Sequence, residues 1–149
     1  MPPKKGKDEK KDEGPQEVVE ETGTFIFPDH NDATYSGMII KRDGVMMRNG
    51  KGSFTDVALT FEGEWKDDTM HGEGRLVFRD DGSSYEGQFV DGLFDGRGVY
   101  LWGNGSRYEG QWRLNRMHGE GQYTDADGVV WTGKFYNGTG PGLRKATTV

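Results

Sequence analysis

FEGEWKDDTMHGEGRLVFRDDGSS at residues 61–84, YEGQFVDGLFDGRGVYLWGNGSR at 85–107 and YEGQWRLNRMHGEGQYTDADGVV at 108–130 are three copies of one pattern. Laid in register, Phe61, Tyr85, Tyr108 and Trp131 open successive units, 23 or 24 residues apart. Two places on stand Gly63, Gly87, Gly110 and Gly133, and four places on stand Trp65, Phe89, Trp112 and Phe135. Internal similarity at a fixed period of about 20 to 50 residues marks a stacked architecture, in which a unit buries its apolar face only against its neighbours. Function is therefore to be sought on a repeated surface, not in a single active-site motif.

Within a unit the apolar positions alternate, which is the signature of a half-buried strand. Tyr85, Gly87 and Phe89 fall on one face and Glu86 and Gln88 on the other. Five or six connecting residues are expected next, then a second strand with Gly98, Tyr100 and Trp102 on one face. Asp81-Gly82, Asn104-Gly105 and Asp127-Gly128 supply the turns to the following hairpin, because these residues tolerate positive φ. Glycine alternating with aromatic residues lets a ring lie over the bare backbone of the next strand, and Gly87 and Gly110 are expected to make that room. The predicted fold is all-β: an elongated, single-layer, twisted antiparallel sheet of stacked hairpins.

Outward from the regular units the pattern decays. Residues 35–60 read as a degenerate full unit opened by Tyr35 and Gly37, with about four residues inserted as a loop around Lys41 to Met47. Residues 23–34, with Phe25 and Phe27 alternating, read as a half unit, and residues 131–143 as another, opened by Trp131, Gly133 and Phe135. Together 23–143 make the ribbon. Residues 1–22 hold five lysines and seven acidic residues but few apolar side chains, and are expected to be a disordered charged tail; 144–149 are expected to be mobile.

Composition narrows the function. The chain has 149 residues, 25 glycines, no cysteine and a net charge of −6. The acidic balance disfavours nonspecific nucleic-acid binding. Absence of cysteine removes disulfides and thiolate chemistry, and no run approaches the roughly 18 apolar residues of a membrane span, so a soluble, cytoplasmic protein is expected.

The spacing Tyr/Phe-x-Gly-x-Trp/Phe, five residues, then His/Asp-Gly-x-Gly stands at Phe61–Gly74, Tyr85–Gly98 and Tyr108–Gly121. It resembles the MORN (membrane occupation and recognition nexus) repeat. The resemblance implies a non-catalytic platform that docks protein partners in a larger assembly, of the kind found in cilia and flagella, at axonemal and other cytoskeletal structures, and in germ cells during spermatogenesis. The alternative it implies is a phosphoinositide or membrane-surface binding module.

Candidate chemistry is sparse. His71 and His118 share a repeat position with Asp95, so they would stand about 10 Å apart per step, against metal–ligand distances of about 2 Å. They suit hydrogen bonds to a turn, or contact with a partner, better than a shared metal. Glu62, Glu86 and Glu109 are repeat-equivalent and so lack the contrasting environments of an acid–base pair. No catalytic residue, cofactor site or metal site is implied. Met46 and Met47, at the insertion, suit either a cap on the stack or an adaptable apolar contact for a protein partner. Arg113 and Arg116 are the candidate lipid contacts. The half units at the two ends are either caps or edges through which copies associate.

Overall fold

The computed structural model describes residues 19–146. Its strands are β1 (Val19–Phe27), β2 (Ala33–Arg42), β3 (Val45–Thr55), β4 (Leu59–Lys66), β5 (Thr69–Phe78), β6 (Ser84–Val90), β7 (Leu93–Leu101), β8 (Arg107–Arg113), β9 (Arg116–Thr124), β10 (Val130–Phe135) and β11 (Arg144–Lys145). All pair antiparallel in sequence order within one eleven-stranded sheet. The predicted ribbon of hairpins is the observed fold.

One row of glycine sets the register. Gly23, Gly37, Gly52, Gly63, Gly74, Gly87, Gly98, Gly110, Gly121 and Gly133 face one another in succession across nine strand pairs. The reason differs between the two strands of a hairpin. A Cβ on Gly98 would run into the Tyr85 ring, as one on Gly74 would meet Phe61 and one on Gly121 would meet Tyr108. A Cβ on Gly87 would instead meet backbone, the Gly98 Cα and the Arg97 carbonyl. Rings therefore lie over the second-strand glycines, while the first-strand glycines chiefly allow two backbones to approach, with the tip of the ring also close at Gly37, Gly63 and Gly110.

The core is a continuous chain of edge-to-face aromatic pairs. Phe61 meets Trp65 of its own strand at 5.0 Å between centroids and Phe89 of the next unit at 5.2 Å. Tyr85 repeats this with Phe89 at 5.1 Å and Trp112 at 5.4 Å, and Tyr108 with Trp112 at 5.2 Å and Phe135 at 4.8 Å. Such pairs contribute about 0.5–1.5 kcal/mol each beyond the area they bury. The stack carries its core on one face, so every unit depends on its neighbour.

Four expectations are corrected. Hairpin strands are joined not by five or six residues but by two-residue turns at Asp67-Asp68, Asp91-Gly92 and Leu114-Asn115, all in the left-handed region. This conformation matches the twist of the flanking strands. The insertion at Lys41–Met47 is not a loop: it adds the rungs Lys41↔Met46 and Arg42↔Val45 and lengthens the hairpin around an Asp43-Gly44 turn. The strand at the start begins at Val19, four residues before the expected ribbon, because Val19–Thr22 pair with Lys41–Met38, reaching the extension at Val19↔Lys41. A Lys41–Glu21 ion pair at 2.6 Å ties β1 to the lengthened β2. Finally, Arg144 and Lys145, expected in a mobile tail, pair with Thr132 and Trp131. The rest of the two tails, 1–18 and 147–149, lies outside the described residues.

Candidate binding surface

The sheet has two unlike faces. On one, Glu62, Arg75, Glu86, Glu109, Gln122 and Arg144 are exposed and polar. On the other, the buried row Tyr35, Phe61, Tyr85 and Tyr108 is flanked by larger side chains that no second layer covers among the described residues. Phe94, Tyr100, Trp102 and Met117 pack against the core yet remain partly exposed. With Leu76, Phe78 and Trp112 they line an aromatic groove of about 470 Å³, whose turn-edge rim carries Asn115 and Arg116. Within it Trp102 lies 4.7 Å from Tyr100 and 5.8 Å from Tyr123, centroid to centroid.

The groove is held rigid by a repeated device at the bulge that follows each first-strand glycine. The phenol of Tyr85 donates to the Gln88 carbonyl at 2.8 Å, that of Tyr108 to Gln111 at 2.8 Å, and that of Tyr35 to Met38 at 2.6 Å. Across the strand, the Gln88 amide oxygen accepts from the Arg97 N–H at 2.7 Å, as Glu64 does from Glu73 at 2.7 Å and Gln111 from Glu120 at 3.2 Å. Trp65 and Trp112 add indole donors to the Gly52 and Gly98 carbonyls. Burial pushes the phenol pKa of Tyr35 and Tyr85 up, and that of Tyr108 up to about 12, against the lowering effect of the hydrogen bonds at Tyr85 and Tyr108. The sequence reading missed the side chain immediately before each second aromatic, at Glu64, Gln88 and Gln111; its signal was a Glu or Gln recurring at that place in every regular unit.

Along the turn edge, the repeat position of the histidines serves the next hairpin. Asn49 accepts from the Asp67 N–H at 3.2 Å, His71 Nδ1 from Asp91 at 3.4 Å and Asp95 from Leu114 at 3.3 Å. These acceptors steady turns whose first residue is a non-glycine at positive φ. The turn-bonding role expected of His71 is thus present. His118 differs: its ring meets Tyr136 edge-on at 6.1 Å and its Nδ1 is buried without a hydrogen-bond partner among the described residues. No group of three His, Asp or Glu side chains that could hold a metal occurs among the described residues.

Arg113 and Arg116 are brought together as directly opposed exposed residues on the last rung of the β8–β9 hairpin, either side of Leu114, which is 60% exposed. Met46 sits on the hairpin extension opposite Lys41, and Met47 on the preceding rung opposite Ile40. Met46 lines a second cavity, of about 440 Å³, with Phe27, Ala33, Ile39, Phe54 and a rim of Asp29, Asp56 and Asp68. There Arg48 occupies the place that Met70, Phe94 and Met117 take in later units. Its guanidinium lies 4.1 Å over Trp65 and its Nε bonds Asp68 at 2.7 Å, so the groove's apolar run stops in the first unit.

A family model described as the MORN repeat matches residues 61–83, 85–107 and 108–130. No curated protein matches the chain. The three matched segments coincide with β4–β5, β6–β7 and β8–β9 and the turns that follow them.

Proposed function

Starting from the premise that residues 61–130 are three MORN repeats, and the chain a MORN-repeat protein, we propose that it is a scaffold that docks a protein partner in the aromatic groove of β5–β9. MORN repeats are generally non-catalytic modules that bind proteins or membranes. The observation that carries the choice of a protein is the groove itself: Phe94, Tyr100, Trp102 and Met117 form a contiguous, partly exposed aromatic patch on a rigid backbone. Rigid aromatic anchors and methionine are the side chains that dominate protein interfaces. An extended apolar segment of a partner fits such a groove better than a polar small molecule does. The proposed partner belongs to a cytoplasmic assembly of the ciliary, flagellar or cytoskeletal kind, a reading that the family resemblance supports.

Trp102→Ala tests this reading. Trp102 is at the groove's open side, so its loss is expected to reduce partner recovery from extracts of ciliated cells about tenfold or more, an effect of about 1.4 kcal/mol or greater. The melting temperature should fall by only a few degrees. Full partner recovery by a folded Trp102→Ala protein overturns the assignment of the groove.

A second reading, anionic-membrane contact, is favoured by the Arg113–Arg116 rung flanking exposed Leu114. The net charge of −6 opposes it, since anionic lipid repels an acidic surface. Sedimentation with phosphoinositide-bearing vesicles at about 0.15 M salt, where charges are screened beyond about 8 Å, is expected to leave the protein in the supernatant. Strong co-sedimentation that is lost in Arg113→Glu or Arg116→Glu would transfer the function to the membrane.

A further inference from the structure

We propose that copies of this chain join head to tail: the outer edge of β1 in one copy takes the outer edge of β10 in the next, displacing β11. The two ends of the sheet are complementary halves of one unit. β3, β5, β7 and β9 carry the Gly-x-aromatic or Gly-x-apolar pattern of a second strand, and each is flanked on both sides by an opening strand with aromatic-x-Gly. β1 has the second-strand pattern, Gly23, Phe25 and Phe27, but only β2 beside it among the described residues. Residues 1–18 contain no aromatic residue and so lack the aromatic-x-Gly sequence of an opening strand.

β10 is the converse. Trp131, Gly133 and Phe135 make an opening strand, and its inner edge pairs with β9 along six residues. Its outer edge is met by only two rungs, Trp131↔Lys145 and Thr132↔Arg144, extended by the Ala146 N–H to the Val130 carbonyl at 2.8 Å. Leu143 lies 3.3 Å from where a Gly133 Cβ would stand, in the place that a facing glycine holds in every other unit. Arg144, Lys145 and Ala146 are all exposed. A short, exposed strand is the first part of a sheet to open.

The glycine row dictates the register of the joint. Gly133 of one copy would face Gly23 of the other, continuing the nine Gly–Gly rungs already present within a copy, and Trp131 would then face Phe25 as Phe61 faces Leu76. β1 lacks the usual protections of an edge strand: it contains no proline or lysine, and its Glu21 is paired with Lys41. Lys134 of β10 and Glu20 of β1 fall on the same, polar face at the joint. Because the contact is heterologous and does not close, it builds linear chains and prolongs the ribbon, whatever docks in the groove.

The chain has no cysteine, which makes the joint testable by cross-linking. In the glycine register Thr24 of one copy faces Thr132 of the next. Within one copy they lie on strands β1 and β10, nine strand spacings or about 43 Å apart, far beyond the roughly 4 Å Cβ separation of a disulfide. Mixing Thr24→Cys with Thr132→Cys protein under mild oxidation is expected to give a one-to-one dimer at least about fivefold above either variant alone, a bias set by the register. The doubled variant should give a ladder of higher species. Self-cross-linking of Thr24→Cys alone at the same yield would establish a two-fold β1–β1 joint and overturn the proposal, as would absence of the mixed dimer. As a second measurement, light scattering of a chain ending at Gly142 should show association at about tenfold lower concentration than the whole chain, since the tethered competitor is gone. An unchanged mass would remove β11 as the displaced piece.

Discussion

Gly98→Val is expected to lower the melting temperature by about 10 °C, from a loss of about 3 kcal/mol. The cause is steric, since the backbone at Gly98 is ordinary extended chain and the space its Cβ would need is filled by the Tyr85 ring. That ring is fully buried and fixed between Phe89 at 5.1 Å and Trp112 at 5.4 Å, so it has nowhere to move. Gly142→Ala is the control, because a Cβ there meets nothing within 4 Å, and it should melt like the parent. A double-mutant cycle identifies the clashing group. Tyr85→Ala should make Gly98→Ala cheaper by about 1–2 kcal/mol, the size of coupling expected of residues in contact. It should not rescue Gly87→Ala, whose Cβ meets the Gly98 and Arg97 backbone. Thermal or urea unfolding measures all of these, and a Gly98→Val protein as stable as the parent would remove the ring-over-glycine packing.

A steep loss of stability above pH 10 is the second large expected effect. Burial raises the pKa of Tyr35, Tyr85 and Tyr108 in the folded protein, to about 12 for Tyr108. The unfolded chain titrates these phenols near the ordinary 10.0. A raised folded pKa means that the native state holds its protons after the unfolded state has begun to lose them. The stabilisation is therefore complete below pH 10 and declines as pH rises through the folded values. For Tyr108 the window is pH 10 to 12, and its size is about 2–3 kcal/mol at 1.36 kcal/mol per pH unit. Urea unfolding at pH 8 and pH 11, with phenolate absorbance followed alongside, measures it. Tyr108→Phe should lose about 1 kcal/mol at pH 8 with the hydrogen bond to Gln111, and then show a shallower alkaline decline than the parent. An unchanged alkaline slope would mean that Tyr108 ionises in the folded state.

The repeat spacing made most of the fold legible. Phe61, Tyr85, Tyr108 and Trp131 at near-constant intervals can be satisfied only if each unit stacks on the last, and alternation with Gly63, Gly87, Gly110 and Gly133 selects strands. The turn residues Asp81-Gly82, Asn104-Gly105 and Asp127-Gly128 were readable for the same reason, since their preference for positive φ is local. The role of each glycine was not readable. Gly87 was expected to make room for a ring, whereas it makes room for a strand, and Gly98 is the glycine under the ring. Which of two neighbouring strands a ring leans over depends on their register, and no single unit contains that information. The irregular first unit was misread likewise. Four extra residues are equally compatible with a loop and with two more rungs, and only the pairing of Lys41 and Arg42 with Met46 and Val45 chooses between them.

For the binding surface the division is similar. Composition and spacing alone determined that this is a repeated, acidic, cysteine-free β-platform in which His71 and Asp95 occupy equivalent places, because those are properties of residue type and interval. Only the tertiary structure decided that Phe94, Tyr100, Trp102 and Met117 form one open groove, that Arg48 interrupts it, and that Arg113 faces Arg116. The physical reason is that a groove is made of side chains from successive strands, on β5, β7, β8 and β9, that are distant in sequence and meet through register and bulges. The halves left at β1 and β10 could be seen in the sequence as missing pieces; that among the described residues one edge stands open and the other is held by two rungs is a property of the folded sheet.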